Sequence, residues 1–261
     1  IPGWQGLGGP VVFRDGLPGL MPDLQGPDNA FFVVPVEAGG GCILDYGSHA
    51  VAAACFILGF GKKLEAVRSL RIGVKERTRV VRGRLQEISV DDDAHFKALF
   101  SDPQTGDWSS AVIECTWAYP EFGPDSSDTS GFLVIRGSEG VITGYFDDAG
   151  QEYIRISRYA GGEFSFPIKS YTSEAMSFAE EIRNFCVCIR EGRRPFLDAK
   201  KGARTIQIIN MAQLSETLDR KAVTPALFES FVQEHTASSP LKTGDALAEI
   251  LTAPYLLSEG G

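Results

Sequence analysis

A glycine-rich turn followed by a long apolar segment constrains the fold of this 261-residue chain more than any other feature. Residues 39–49 read GGGCILDYGSH, and mostly small and apolar residues continue to Leu58 and Gly59. Consecutive glycines allow a tight backbone turn, and the apolar segment is long enough for about three helical turns. The sequence therefore predicts a loop that leads into a buried helix.

Two ionisable residues stand near the start of this predicted helix. Asp45 and His49 are separated by four positions, so both side chains project from one helix face and can contact one ligand. Burying ionisable groups on an apolar helix costs free energy unless a partner or a ligand satisfies them. Three interpretations remain open: a substrate site made of a carboxylate and an imidazole, a structural pair whose members satisfy each other, or a solvated face of the helix.

Composition narrows the possible partners and compartment. The formal net charge of −9 argues against nucleic acid or an anionic membrane as a partner, because both require clustered Lys and Arg. No segment has the apolar length that spans a bilayer. Five cysteines without a Cys-x-x-Cys motif predict free thiols in a reducing, cytoplasmic compartment. Cys186 and Cys188 are expected to be core thiols.

Apolar and polar residues alternate from Leu64 onward, which is typical of strands with one buried face. Short turns at 137–140 and 147–150 predict hairpins and therefore antiparallel neighbours. The alternating positions are Leu70, Ile72 and Val74; Phe96, Ala98 and Phe100; and Ile113, Cys115, Trp117 and Tyr119, with further strands at 132–136, 141–146 and 153–157.

After residue 170 the apolar period becomes helical. One helix is predicted to begin near Ser173 and end at Gly192, a second covers about 199–218 and is apolar nearly all round, and a short third begins at Pro225. The apolar positions of the first are Phe178, Ile182, Phe185 and Ile189. Strands followed by helices predict an α+β fold, an open, mostly antiparallel sheet of about six strands with helices on one face.

Two other patterns are weaker. The glycines at Gly6, Gly8 and Gly9 lack the spacing and the preceding strand of a dinucleotide-binding loop. The acidic run Asp91 to Asp93, followed by His95, contains metal-ligand types. Such a run between strands is more often a solvated loop that protects strand edges, so we expect a loop here rather than a metal site.

Three segments, in the same order, resemble the Gfo/Idh/MocA family of oxidoreductases. Residues 39–49 resemble its Gly-Gly-Gly-x-Leu-x-Asp-x-Gly-x-His segment, residues 135–140 resemble its Gly-[Ser/Thr]-Glu-Gly hairpin, and residues 178–215 resemble its closing helices. The resemblance covers about residues 35–224, and three ordered motifs are more specific than one.

The resemblance implies a domain organisation. It corresponds to the carboxyl-terminal, dihydrodipicolinate reductase-like half of such proteins, and the amino-terminal Rossmann domain and its Glu-Lys-Pro motif are not found in this chain. We therefore expect a carboxyl-terminal fragment or a dissected domain. It would comprise an irregular segment at 1–38, the substrate-binding domain at 39–224, and a helix and tail at 225–261.

The resemblance also implies a function: the substrate-binding and oligomerisation domain of an NAD(P)-dependent oxidoreductase that acts on a sugar, polyol or related hydroxyl compound. His49 would be the acid/base that takes the hydroxyl proton, and imidazole suits this because it titrates near neutrality. Asp45 would orient the hydroxyl or favour the charged imidazole. Gly40 and Gly41 would line the substrate site.

The remaining implications concern the cofactor and assembly. NAD or NADP would be bound mainly by the domain that this chain lacks, and the free face of the sheet would contact a second subunit in a homo-oligomer. Ala52 departs from the family pattern, since many members carry an Asp there, and this leaves the substrate open. The alternative function is a non-catalytic binding or scaffolding domain that retains the fold.

Overall fold

The computed structural model describes residues 40–74, 78–81, 84–87, 89–116, 133–147, 151–168 and 174–237. The predicted irregular segment at 1–38, the tail beyond 237 and the predicted strand positions Trp117 and Tyr119 lie outside the described residues. The domain boundaries therefore stay predictions.

Four helices and nine strands make up the described fold. In chain order they are α1 (Cys42–Leu58), β1 (Lys63–Gly73), β2 (Thr78–Val81), β3 (Arg84–Glu87), β4 (Asp93–Ser101), β5 (Trp108–Thr116), β6 (Leu133–Arg136), β7 (Gly140–Phe146), β8 (Glu152–Arg158), β9 (Glu163–Pro167), α2 (Glu174–Glu191), α3 (Ala199–Thr217) and α4 (Pro225–Thr236).

All strand pairs among these residues are antiparallel. One sheet has the order β1-β4-β5, a second has the order β6-β7-β8-β9, and β2 pairs with β3. The predicted α+β class with open antiparallel sheets is confirmed. The structure divides the strands between sheets, whereas the sequence predicted about six strands in one, because alternation identifies strands but not their neighbours.

The core lies between the β1-β4-β5 sheet and the helices α1 and α3, which both contact this sheet. The predicted alternation in β4 is confirmed: Phe96, Ala98 and Phe100 are all at most 2% exposed. From β5, Ile113 and Cys115 join the same core. One face of the sheet is thus covered by helices, and this positions α1 over β4 and β5.

Strand β1 departs from simple alternation because it contains two register irregularities. Between Ser69 and Arg71, β1 advances by two residues while β4 advances by one, which leaves Leu70 as the extra residue of a β-bulge. Leu70 is consequently 46% exposed, while Ile72 is buried. The prediction that both residues share the buried face was wrong for Leu70.

The predicted boundaries of the helices are largely confirmed. Gly192, with a φ of 65°, follows the last residue of α2. Asp198 caps α3 by accepting a hydrogen bond from the backbone N–H of Lys201, and Thr224 caps α4 in the same way through the N–H of Leu227. None of the described helices is long and apolar enough to cross a membrane.

Several apolar side chains of the helices are exposed among the described residues. The apolar positions of α2 are Phe178, Ile182, Phe185 and Ile189, and each is more than half exposed. Cys188 is buried but Cys186 is exposed, so the expectation of two core thiols was wrong for Cys186. In α3, Ile206 is also exposed, so this helix is not buried on all sides. Periodicity identifies an apolar face but not what covers it.

Candidate functional site

Helix α1 carries the candidate site, and a residue far away in sequence caps its start. The N-cap residue, Gly41, has no side chain to accept a hydrogen bond from the first N–H groups. Asp91 supplies the acceptors: its Oδ1 lies 2.7 Å from the N of Gly41, its Oδ2 lies 2.8 Å from the N of Ile43, and its backbone O lies 2.8 Å from the N of Cys42.

Gly40 and Gly41 are buried and pack closely against other elements. A Cβ on Gly41 would lie 1.9 Å from the backbone O of Asp91, and a Cβ on Gly40 would lie 2.8 Å from Nε2 of Gln213 in α3. Glycine is therefore required at Gly41, because the backbone of Asp91 approaches too closely for a side chain. The structure gives both glycines a packing role, while their predicted contact with a substrate stays a prediction.

Asp45 and His49 lie on α1 as predicted, in its first turn and one turn further on. Asp45 is partly buried, and its backbone O accepts a hydrogen bond of 2.8 Å from Oγ of Ser48. His49 is exposed, yet neighbouring protein atoms desolvate its imidazole enough to lower its pKa below the ordinary 6.5. At neutral pH the imidazole is therefore mostly uncharged and able to accept a proton.

Two buried cysteines lie close together where α1 begins: Cys42 is the first residue of α1, and Cys115 belongs to β5. Sγ of Cys42 lies 3.3 Å from Oδ2 of Asp91 and 3.4 Å from the backbone O of Cys115. Burial raises the pKa of both thiols above the usual value, so they are protonated and unreactive at neutral pH. A Cβ on Gly47 would lie 3.3 Å from Sγ of Cys115, which shows how closely α1 packs on β5.

The acidic run from Asp91 to Asp93 is buried, so the expectation of a solvated loop was wrong. All three residues are fully buried. Desolvation raises the pKa of Asp91, and the hydrogen bonds from Gly41, Ile43 and Cys42 oppose that effect. The buried carboxylate of Asp91 is tolerated because donors about fifty residues earlier in the chain, invisible to a local pattern, satisfy it.

Asp93 belongs to a polar cluster on the β1-β4-β5 sheet. Its Oδ1 lies 3.3 Å from Nε2 of His95, and its Oδ2 lies 3.2 Å from Nε of Arg71. Nδ1 of His95 lies 3.6 Å from Oε1 of Glu114. Burial lowers the pKa of His95, but the hydrogen bonds to Asp93 and Glu114 outweigh burial and raise the pKa to about 9.

The described residues contain no group of three or more His, Cys, Asp or Glu side chains arranged to hold a metal ion. The first N–H groups of a helix often bind an anion, but at the start of α1 the carboxylate of Asp91 already accepts from them. A pyrophosphate would have to displace that buried carboxylate, so the start of α1 does not fit a dinucleotide.

Several solved structures are similar to the structure of this chain. An NAD-binding oxidoreductase from Klebsiella pneumoniae is similar with a TM-score of 0.56 and 16% identity, over 82% of this chain and 57% of that one. The chain shares the fold of this oxidoreductase over the matched region. The resemblance predicted from the sequence is thus confirmed at the level of the fold, and the α+β architecture agrees with the carboxyl-terminal domain of this neighbour.

Two structures of Gal80p, which is described as a transcriptional regulator, are also similar to this fold. Gal80p from Kluyveromyces lactis matches with a TM-score of 0.59 and 12% identity, over 87% of this chain and 52% of that one. A super-repressor mutant of Gal80p from Saccharomyces cerevisiae matches with a TM-score of 0.58 and 10% identity, over 87% and 56%. The chain thus spans a little over half the length of these neighbours. No protein-family model and no curated protein matches the sequence.

Proposed function

We propose that this chain is the substrate-binding and oligomerisation domain of an NAD(P)-dependent oxidoreductase that acts on a sugar, polyol or related hydroxyl compound. The observation that supports this proposal best is the placement of Asp45 and His49 on one face of α1, with the His49 imidazole exposed and its pKa lowered. The similarity to an NAD-binding oxidoreductase supports the same reaction class.

In the proposed reaction, Nε2 or Nδ1 of the neutral His49 accepts the proton of the substrate hydroxyl while a hydride leaves the same carbon, and the loss of both converts the alcohol to a carbonyl. Asp45 lies one turn away, about 5–6 Å between Cβ atoms, and its negative charge stabilises the resulting imidazolium. NAD(P), bound by residues other than those described, supplies the chemistry of accepting the hydride. A reducing compartment, as predicted from the cysteines, is compatible with the five free thiols.

A titration of this chain tests whether it binds such substrates. The chain has three histidines, so the imidazole signals of His49, His95 and His235 can be distinguished by nuclear magnetic resonance. Monosaccharides and cyclic polyols at low millimolar concentration, the usual range for enzyme substrates, should include one that shifts the His49 signals saturably. The signals of His95 and His235 should stay in place. Equal shifts of all three, or none with any compound, would count against the proposal.

A second candidate is a non-catalytic binding or regulatory domain. The specific observation in its favour is the similarity to Gal80p, which is a transcriptional regulator and has the highest of the TM-scores given above. In that case a ligand could still shift the His49 signals, but a protein containing this chain would turn no substrate over. Turnover therefore separates the two candidates.

A further inference from the structure

Asp91 accepts hydrogen bonds from three successive backbone N–H groups at the start of α1, those of Gly41, Cys42 and Ile43. We infer that Asp91 is a positioning residue, which fixes the start of the helix and thereby places Asp45 and His49. The part of this inference that concerns catalysis rests on the proposed function. The part that concerns the placement of His49 does not.

The geometry favours a role in orientation beyond simple capping. The two carboxylate oxygens accept from different donors, Oδ1 from Gly41 and Oδ2 from Ile43, and the backbone O accepts from Cys42. Three bonds to successive residues fix both the position of the helix axis and the rotation of the helix about it. A single capping bond would constrain only one of these three N–H groups.

Close packing leaves the start of α1 little freedom to adjust. The backbone of Asp91 occupies the place that a Cβ of Gly41 would take, at 1.9 Å. At the other end, Nη1 of Arg204 donates to the backbone O of Phe60 at 2.7 Å, and Nη2 of Arg204 donates to the backbone O of Lys62. Arg204 therefore holds the loop that follows α1, and Asp91 holds the start of α1, which carries the candidate site.

The distance from the cap to the site is short. Asp45 lies in the first turn of α1, and His49 follows Ile43 by six residues, about 9 Å along the helix axis. A small tilt or rotation at Ile43 is therefore transmitted to both side chains. Misplacement of reacting groups by about 1 Å is enough to lower turnover by about a hundredfold.

The first experiment measures placement and needs no activity. In Asp91→Asn, one oxygen remains to accept from one N–H, while the amide group faces the other donor; the side chain keeps its size and the backbone O of Asp91 still accepts from Cys42, so folding is expected. The matched control is Asp198→Asn, which alters the carboxylate cap of α3. We expect the imidazole signals and the titration midpoint of His49 to shift in Asp91→Asn, but not in Asp198→Asn. The signals of His235 should stay in place in both variants.

The second experiment measures turnover in a longer natural protein that contains this chain and a dinucleotide-binding domain. Asp91→Asn should lower kcat by about tenfold or more with KM changed much less, since reacting groups are misplaced. Asp198→Asn keeps a good cap residue at the start of α3 and should leave kcat and KM unchanged. If Asp91→Asn fails to fold, Asp91→Ser, whose smaller side chain keeps one oxygen that can accept, takes its place.

The outcomes separate the two claims. Unchanged His49 signals in the Asp91 variant would overturn the inference, whatever the activity. Shifted His49 signals in a protein that turns over no hydroxyl compound would support the placement by Asp91 and refute the proposed function. Shifted signals with unchanged kcat would overturn the catalytic part of the inference.

Discussion

Replacement of His95 offers a quantitative test of the electrostatics of the β1-β4-β5 sheet. His95 lies on the middle strand, with Arg71 opposite it on β1 and Glu114 opposite it on β5. Its two ring nitrogens contact Asp93 and Glu114. His95→Gln removes the positive charge and leaves the fully buried carboxylate of Asp93 beside the guanidinium of Arg71, which lies 3.2 Å away.

The sign of the effect follows from the pKa values. The pKa of His95 is about 9 in the folded protein and near 6.5 when the residue is unfolded, so protonation favours the folded state. The stabilisation is complete below pH 6.5, decreases as the pH rises towards 9, and is lost above it. At about 1.4 kcal/mol per pKa unit the upper bound is about 3 kcal/mol. We expect about 2 kcal/mol, because 27% of the His95 side chain is exposed and solvent screens its contacts.

Urea unfolding followed by circular dichroism measures this contribution. The parent chain and His95→Gln are compared at about pH 6 and about pH 9.5, on either side of the titration. At each pH, the free energy of unfolding of the variant is subtracted from that of the parent. This difference should be about 2 kcal/mol larger at about pH 6 than at about pH 9.5. His235→Gln, which alters an exposed histidine at the end of α4, should show no such difference. A gap between parent and His95→Gln that is equal at both pH values would refute the reasoning.

Two further predictions concern packing. Gly41→Ala should lower the free energy of unfolding by about 2 kcal/mol or more because its Cβ would overlap the backbone of Asp91, whereas Gly61→Ala, with open space around it, should change it by less than about 0.5 kcal/mol. Phe100→Ala should cost about 3–5 kcal/mol, since this residue is 2% exposed, and Trp108→Ala, which is 63% exposed, should cost less than about 1 kcal/mol. Chemical denaturation measures both pairs, and equal losses within a pair would contradict the packing described above.

Local patterns in the sequence predicted the structure correctly where neighbouring residues in the chain determine it. Alternation in β4 identified Phe96 and Phe100 as core residues, because side chains two apart in a strand share a face. The predicted start of α4 at Pro225 was confirmed, since Pro is favoured in the first turn of a helix and Thr224 can cap it. The placement of Asp45 and His49 on one helix also follows from spacing alone.

Features that depend on distant residues were missed. Asp91 is bonded to residues about fifty positions earlier in the chain, so no local pattern distinguishes it from a solvated aspartate. One signal was present: the N-cap position Gly41 has no side chain, so the helix needs an acceptor from elsewhere. The bulge at Leu70 depends in the same way on pairing with β4, which alternation within β1 does not reveal.

The central claim is that His49 is the acid/base of an oxidoreductase, and one comparison tests it most directly. In a longer natural protein that contains this chain and a dinucleotide-binding domain, turnover and melting temperature are measured on the same preparations of the parent, His49→Ala and Asp45→Asn. His235→Ala serves as the control for removal of an exposed histidine. We expect His49→Ala to lower turnover by about a hundredfold or more with little change in melting temperature, because His49 is exposed. Asp45→Asn should lower turnover less. A His49→Ala variant that is destabilised yet fully active per folded molecule would contradict the catalytic assignment.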